Sequence, residues 1–525
     1  MPEGNIVNIV ILGGGSAGWM TAAALSQLLK KRNCHITLIE SERIGTVGVG
    51  EATLPHLRFF NQRLGIAEAE FMHRTQATYK LGIEFVNWGG AQGQAYIHPF
   101  GDYGLRFNDI SFHHYWLKLR RTGATAPIGD YSLPVVAAKL NRFQYPSTNS
   151  RSILSSYSYA YHVDASLYAQ YLREYACARG VVHCIGEVTH VHQHPDNGFI
   201  ETLTLNDGRN INGDLFIDCS GFRGLLIEQT LKAGYEDWSR YLPCDRAVAV
   251  PSPVLRQAPP YTRATTSLAG WRWRIPLRHR TGNGHVYCSA YLSDDEALQL
   301  LLTNLNGEAM AEPLFLRFNT GRRKSMWLKN CVAIGLSAGF LEPLESTGIH
   351  LIQLAIMKLI EYFPNSVMES AYSTEFNRSM NMEIERIKDF LVLHYYACEE
   401  NCGVNTPNSH GSTLNPQTKE SPFWQYCHNL TLEDRLRHKI DLFSATGHVV
   451  NYMEGLFLEP SWIAVYLGQG LLPHSYDSRL DCCNQAQLQA QMRALHQSIA
   501  NAAASMPLHR QILLSETDEG HRHGE

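Results

Sequence analysis

The first forty residues constrain this chain more than any other stretch. An apolar strand (Ile9 to Leu12) runs into Gly13, Gly15 and Gly18. An Ala/Leu-rich helix follows, ending at Lys30, Lys31 and Arg32, and a second strand (Ile36 to Ile39) closes on Glu40. This is a βαβ unit with a GxGxxG turn. The first glycine makes the tight turn, the second lets backbone approach a pyrophosphate, and the third lets helix and strand pack closely. The anion would sit on the unpaired N–H groups of the helix N-terminus. Glu40 follows Gly18 by 22 residues, near the ~20 expected of the acid that bonds a ribose hydroxyl. A glycine turn that only packs is the competing reading, and the complete strand, helix, strand and acid favour a dinucleotide.

The rest of the composition narrows the class. With 525 residues the chain has room for about three domain equivalents. Its net charge of −4 is spread over both signs, so no basic footprint points to nucleic acid. No apolar run approaches the ~18 residues of a membrane span. The first strand begins almost at Met1, which leaves no room for a signal peptide, and a cytoplasmic enzyme is expected. The 12 cysteines form no CxxC pair and the 24 histidines no HExxH arrangement. Reduced core thiols are expected, and no metal site.

After Glu40 the glycine-rich RIGTVGVGEATLP (Arg43 to Pro55) reads either as a loop pressed on a flat ligand or as a surface loop, with a helix start at Thr53. Tyr79 to Trp88 alternates as a strand carrying Lys80, and His98, Pro99, Phe100 and Gly101 close a Gly/Gln-rich stretch. A helix is expected to begin over Tyr161 to Asp164, capped by Asp164. It is followed by a strand, a hairpin turning at Asn206, Asp207 and Gly208, and the strand Leu215 to Ile217 ending in Asp218. A third strand, Val332 to Ile334, meets a loop holding Leu341 to Gly348 and then an amphipathic helix from Ile349. Returns of this kind fit a discontinuous FAD domain of the glutathione-reductase type within an α/β fold. The expected organisation is an FAD module over 1–355, with inserted segments at about 90–155 and 225–330. A mainly helical C-terminal substrate domain over 356–510 follows, with helices near 375–398, 432–443, 460–468 and 484–504, a polar break at Asn405 to Gln417, and a disordered tail over 511–525.

Three motifs then stand together: GGGSAGWM (13–20), GWRWRIPL (270–277) and LEPLESTGI (341–349). Together they resemble the flavin-dependent tryptophan halogenase family over residues 5 to about 470. The Trp271-x-Trp273-x-Ile275-Pro276 signature separates that family from flavin monooxygenases. Residue by residue, the resemblance implies that Lys80 is the essential lysine and Glu345 the active-site glutamate. Thr347 and Gly348 would hold the halide. Gly13, Gly15, Ser16, Ala17, Gly18, Glu40, Arg43, Ala52, Val188, Leu336 and Ile349 would contact FAD, and Trp271 and Trp273 would wall flavin from substrate. Without the family, Lys80 reads as a surface lysine whose stem lies along apolar neighbours, Glu345 as an acid favoured by a helix N-terminus, and the tryptophans as aromatic core.

The implied reaction consumes reduced FAD, O2 and chloride or bromide to give hypohalous acid, which travels to Lys80 and halogenates an aromatic ring. Lys80 would hold the acid as an ammonium or carry the halogen as a haloamine, and Glu345 would stabilise the ring cation or take its proton. No second glycine-rich βαβ unit appears, so a separate NAD(P)H-dependent flavin reductase is the expected partner; the family also implies a homodimer. His98, Phe100, Ser346, Phe457 and Ser461 fall at substrate positions. Members that grip free tryptophan carry paired tyrosines, then Phe-Trp and an Asn four residues after the Trp. Here Phe457 takes the Trp place and Ser461 the Asn place, within Asn451 to Trp462, and no tyrosine pair precedes them. Indole or another electron-rich aromatic is therefore expected rather than free tryptophan, with a carrier- or peptide-linked aromatic as the alternative. A flavin-dependent aromatic hydroxylase and a flavin-binding protein without turnover are the other readings.

Overall fold

A computed structural model describes residues 6–32, 34–42, 50–88, 94–123, 125–364, 368–398, 421–450, 452 and 455–520. Arg43 and the polar break at Asn405 to Gln417 lie outside them. The chain forms two compact units, one of residues 1–77, 163–243 and 317–385, the other of 78–162, 244–316 and 386–525. The segments read as insertions thus divide. Residues 225–243 and 317–330 belong to the first unit, and 90–155 and 244–316 fold with the C-terminal helices.

The first unit is built on a six-stranded sheet ordered Trp327–Leu328, Cys331–Ala333, Leu215–Asp218, Asn8–Leu12, His35–Glu40, Val182–Ile185. All neighbours are parallel except the antiparallel first pair. Parallel strands buried on both faces read as continuous apolar runs, and Ile9 to Leu12 and Leu215 to Ile217 are buried throughout. Helices Ser16–Leu28, Ala165–Cys177 and Gly348–Glu361 cover the sheet. Asp164 caps its helix, accepting from the N–H groups of Ser166 (3.1 Å) and Leu167 (3.3 Å). The three residues before it, however, belong to a buried strand, Ala160–Asp164, rather than to the helix. The helix expected from Thr53 begins at His56 behind Pro55.

The second unit holds a seven-stranded sheet, ordered Leu314–Arg317, Arg246–Ser252, Thr281–Tyr287, Gly270–Pro276, Thr262–Ser267, Gly82–Val86, Ala95–Pro99. Its helices include Phe112–Arg120, Leu133–Lys139, Asp294–Leu302, Pro422–His428, Asp434–Thr446, Glu459–Gly468 and Gln485–Ser505. A last helix, His509–Gly520, runs into the stretch expected to be disordered. Leu513 anchors it, buried and with its carbonyl accepting from Arg278 (3.0 Å). Among the described residues no helix is long and apolar enough to cross a membrane, no group of three or more His, Cys, Asp or Glu is arranged around a metal, and no cysteines form a disulfide.

Candidate active site

In the first unit, three loops leave the C-terminal ends of adjacent parallel strands, where ligands of open α/β sheets bind. Gly13 (φ +119°) occupies a conformation that favours glycine, and a Cβ there would lie 2.2 Å from the Cys219 carbonyl oxygen. A Cβ on Gly18 would lie 1.8 Å from the Gly13 carbonyl oxygen, so helix and turn pack backbone to backbone. Gly15 differs: a Cβ there would meet nothing within 4 Å. No side chain caps the helix that begins at Ser16, so its first N–H groups, beginning with Ser16 and Ala17, lie beside the open face of Gly15. That is the fit a pyrophosphate requires. Gly18→Ala is accordingly expected to destabilise the protein by about 3 kcal/mol or more, read as a lower urea midpoint. Gly15→Ala should leave that midpoint in place and weaken FAD binding in a fluorescence titration.

Glu40 ends the second strand beside Gly14, its Oε2 2.8 Å from Nε2 of His183. Ala52 is buried on the short strand Gly50–Ala52, and Val188 opens the strand Val188–Gln193 of a separate three-stranded sheet. The third loop is fastened to the second strand end: Ile334 N–H donates to the Asp218 carbonyl (3.0 Å), as does the Ser337 hydroxyl. Leu336, on the turn between these contacts, stays exposed although large and apolar. Glu345 closes the 3₁₀ turn Pro343–Glu345 and is fully buried. Ser346 follows with φ +61°, a conformation few non-glycine residues hold without a local reason. The helix starts at Gly348 with Thr347 as its N-cap and no side-chain cap. A Cβ on Gly348 would meet nothing within 4 Å, and the buried Thr347 Oγ1 has no hydrogen-bond partner among the described residues. Open backbone, an unmet hydroxyl and a helix N-terminus suit a small anion; Ile349, the next residue, is buried.

In the second unit, Lys80 is 0% exposed, which excludes the surface reading. Its strand Thr78–Lys80 pairs antiparallel with residues 160–162, Thr78 opposite His162 and Lys80 opposite Ala160. The Lys80 ammonium lies over the Phe100 ring, 5.1 Å from its centre. Two histidines that the sequence reading left without a role secure this strand. The Thr78 hydroxyl donates to the Pro276 carbonyl (2.7 Å), so its oxygen accepts from Nδ1–H of His162 (2.9 Å), leaving Nε2 of His162 to accept from the Thr262 hydroxyl (3.0 Å). Nδ1–H of His509 donates to the Ala258 carbonyl (2.8 Å), and its Nε2 accepts from the Tyr79 N–H (3.2 Å). Burial, with the Lys80 charge next and His509 after it, holds His162 well below the ordinary imidazole range. Burial likewise lowers His509 to about 4. Lys80 is therefore set among neutral imidazoles. Nothing local marks His162 or His509, because their partners lie 84 and 430 residues away.

His98 and Phe457 are buried in one aromatic cluster. The His98 ring lies 5.7 Å from Phe390 and 6.1 Å from Phe457, Phe390 stacks on Phe457 at 4.0 Å, and Trp462 meets Phe390 edge-on at 5.1 Å. Phe390 and Trp462 are further members the sequence reading missed. Ser461 sits half-buried in the first turn of Glu459–Gly468. Beside the cluster the buried Asp389 carboxylate takes Lys439 (3.0 Å) and Arg435 (2.7 Å), and Lys439 also lies over the Trp462 ring at 4.7 Å. Trp271 and Trp273 share one face of the strand Gly270–Pro276 with centroids 6.1 Å apart; Gly284 opposite leaves room for Trp273, whose ring a Cβ there would meet at 2.0 Å. A cavity of about 410 Å³ lined by Arg256, Tyr261, Arg263 and Arg274 among others includes none of the expected site residues.

Comparison with known proteins places the chain. The family model described as tryptophan halogenase matches residues 8–485. Tryptophan 7-halogenase RebH of Lentzea aerocolonigenes is 34% identical over 518 residues, covering 92% of this chain and 93% of its own length. The structure of BrvH, a flavin-dependent halogenase from Brevundimonas sp. BAL3, is similar with a TM-score of 0.90 at 44% identity, covering 97% of this chain and 99% of that one. That of Xcc4156, a flavin-dependent halogenase from Xanthomonas campestris, gives a TM-score of 0.91 at 43% identity, covering 98% of each. With a match across the whole βαβ unit, the Trp-x-Trp strand and the PLESTG turn, the chain belongs to the tryptophan halogenase family of flavin-dependent enzymes.

Proposed function

We propose that this enzyme halogenates indole or a similarly uncharged, electron-rich aromatic, with Lys80 delivering the halogen. When bound, reduced FAD supplies hypohalous acid from O2 and chloride or bromide. Gly13, Gly15, Ser16, Ala17, Gly18, Glu40, Arg43, Ala52, Val188, Leu336 and Ile349 are the residues that would hold it. Thr347 and Gly348 hold the halide through the helix N-terminus. Lys80 receives the acid and orients its electrophilic halogen toward one ring carbon, by hydrogen bonding or as a haloamine. Glu345 stabilises the ring cation or takes its proton. A flavin reductase acting separately delivers the reduced cofactor.

The observation that carries this reading is a fully buried Lys80 beneath Phe100 and beside a neutral His162. Burying an ammonium costs free energy, and a buried one set against a ring face and a neutral imidazole marks a site of chemistry. The substrate preference rests on the aromatic cluster. His98, Phe390, Phe457 and Trp462 offer ring faces, and the nearby cations Lys439 and Arg435 both answer Asp389. The ammonium and carboxylate of an amino acid would lack partners there, at a cost on the order of several kcal/mol.

The test is mass spectrometry of reactions holding the protein, FAD, a flavin reductase with NADH, and bromide or chloride, with indole and free tryptophan in separate tubes. Halogenated indole with little or no halogenated tryptophan is expected. Efficient tryptophan halogenation would overturn the substrate reading, and an oxygenated, halogen-free product would replace halogenation with hydroxylation.

A further inference from the structure

We propose that the helix Gly348–Glu361 carries a second anion site one turn beyond its N-terminus. There His350 and Gln353, continuing from Thr347, form a row of hydrogen-bond donors that receives halide on its way to Thr347 and Gly348. The proposal rests on the halogenase reading for the identity of the anion. It stands on three side chains spaced three residues apart, so that each neighbours the next along the helix surface. Thr347, His350 and Gln353 are 0%, 7% and 5% exposed. Each has a buried polar atom without a hydrogen-bond partner among the described residues: Oγ1 of Thr347, Nδ1 of His350 and Nε2 of Gln353. Unpaired buried polar atoms are uncommon in folded proteins. Three in a row on one helix call for a ligand that answers them, and a hydroxyl, an imidazole and a carboxamide can all donate to the same anion.

The electrostatics fit passage rather than storage. Burial first, and the neighbouring His56 second, push His350 down to about 3, so its imidazole is neutral and offers a single N–H without an opposite charge. The helix N-terminus adds a positive field toward Thr347. An ion held by neutral donors can leave again, which a conducting site requires. One exposed ring lies against the row. His56, exposed at the start of His56–Leu64, stacks tilted against His350 with centroids 4.5 Å apart. Water is the rival occupant.

The experiment is a sodium bromide titration of the full-length protein with 15N-labelled histidine, without FAD and with it, following imidazole resonances by NMR. The His350 signals are identified by their loss in His350→Asn. They should shift saturably with bromide, beyond the change produced by sodium fluoride at equal ionic strength. Gln353→Met, similar in length but without the amide donors, should raise the bromide concentration at half-saturation about tenfold. Should that variant not fold, Gln353→Glu, which turns a donor into a like charge, is expected to abolish the shift. His350 signals that respond no more to bromide than to fluoride, in both forms, would overturn the site even in a protein that halogenates. A saturable shift in a protein yielding no halogenated product would leave the anion site standing and remove the halogenase reading instead.

Discussion

Replacing Lys80 by alanine is expected to lower the rate of halogenated product by roughly 10²–10³-fold or more, the range found when one preorganised donor at a developing charge is removed. The size follows from its setting. Lys80 is buried over Phe100, between strands tied by Thr78, His162 and Thr262, and its neighbours His162 and His509 are uncharged. No second cation among those neighbours can replace it. Lys80→Met keeps most of the stem and its packing, and should lose activity as fully as the alanine variant. FAD affinity, which the proposed reading assigns to glycines of the other unit, serves as the control for folding. Product formation within about tenfold of wild type in Lys80→Met would show that the ammonium is not needed. Hydroxylated product appearing in either variant would favour hydroxylase chemistry.

Asp218→Ala should destabilise the first unit by on the order of 4 kcal/mol or more, because charged hydrogen bonds and stranded buried donors are the costly cases. The carboxylate is fully buried and accepts from four donors: Ser220 N–H (2.9 Å), the Ser220 hydroxyl (2.6 Å), and the N–H groups of Leu226 and Ile227 (2.8 Å each). Those last two lie in the π-helical turn Leu225–Thr230, whose first N–H, that of Leu225, donates to the same Ser220 hydroxyl (2.8 Å). Removing Asp218 leaves four donors to water that reaches them poorly. Asp218→Asn keeps one accepting oxygen and should lose about half as much. Urea unfolding followed by tryptophan fluorescence reads both, and a loss under about 1 kcal/mol for alanine would mean that the turn finds other partners. The consequence for function is indirect: this strand end also fastens the loop leading to Glu345 through Ile334 and Ser337.

Much of the first unit was legible along the chain. Glycine spacing, apolar strands, the Asp164 cap and the Asn206 to Gly208 turn each depend on residues within a few positions of one another, so local sterics and hydrogen bonding write them directly into the sequence. The expectations that failed were also local. The last strand residues before Asp164 were read as helix, a helix start was placed at Thr53, and residues 511–520, now in a helix, were assigned to a disordered tail whose last five residues lie outside the described ones. Pairing with residues 78–80 decided the first and contact with Arg278 the last, while the helix after Thr53 starts only behind Pro55.

The site divides in the same way. Sequence by itself determined which motif residues are present: Gly13, Gly15, Gly18, Lys80, Trp271, Trp273 and the Glu345 to Gly348 turn. The family resemblance further placed Phe457 and Ser461 where other members carry their amino-acid grip. Only the tertiary structure decided that Lys80 is buried rather than trailing over the surface, since a three-residue strand carries no signal of what covers it. It alone brought in His162, His509, Phe390 and Trp462, and left the Thr347, His350 and Gln353 donors unmet. Burial and pairing arise from chain segments separated by up to 430 residues. No window of local sequence encodes such contacts; they exist only once the hydrophobic core has brought those segments together.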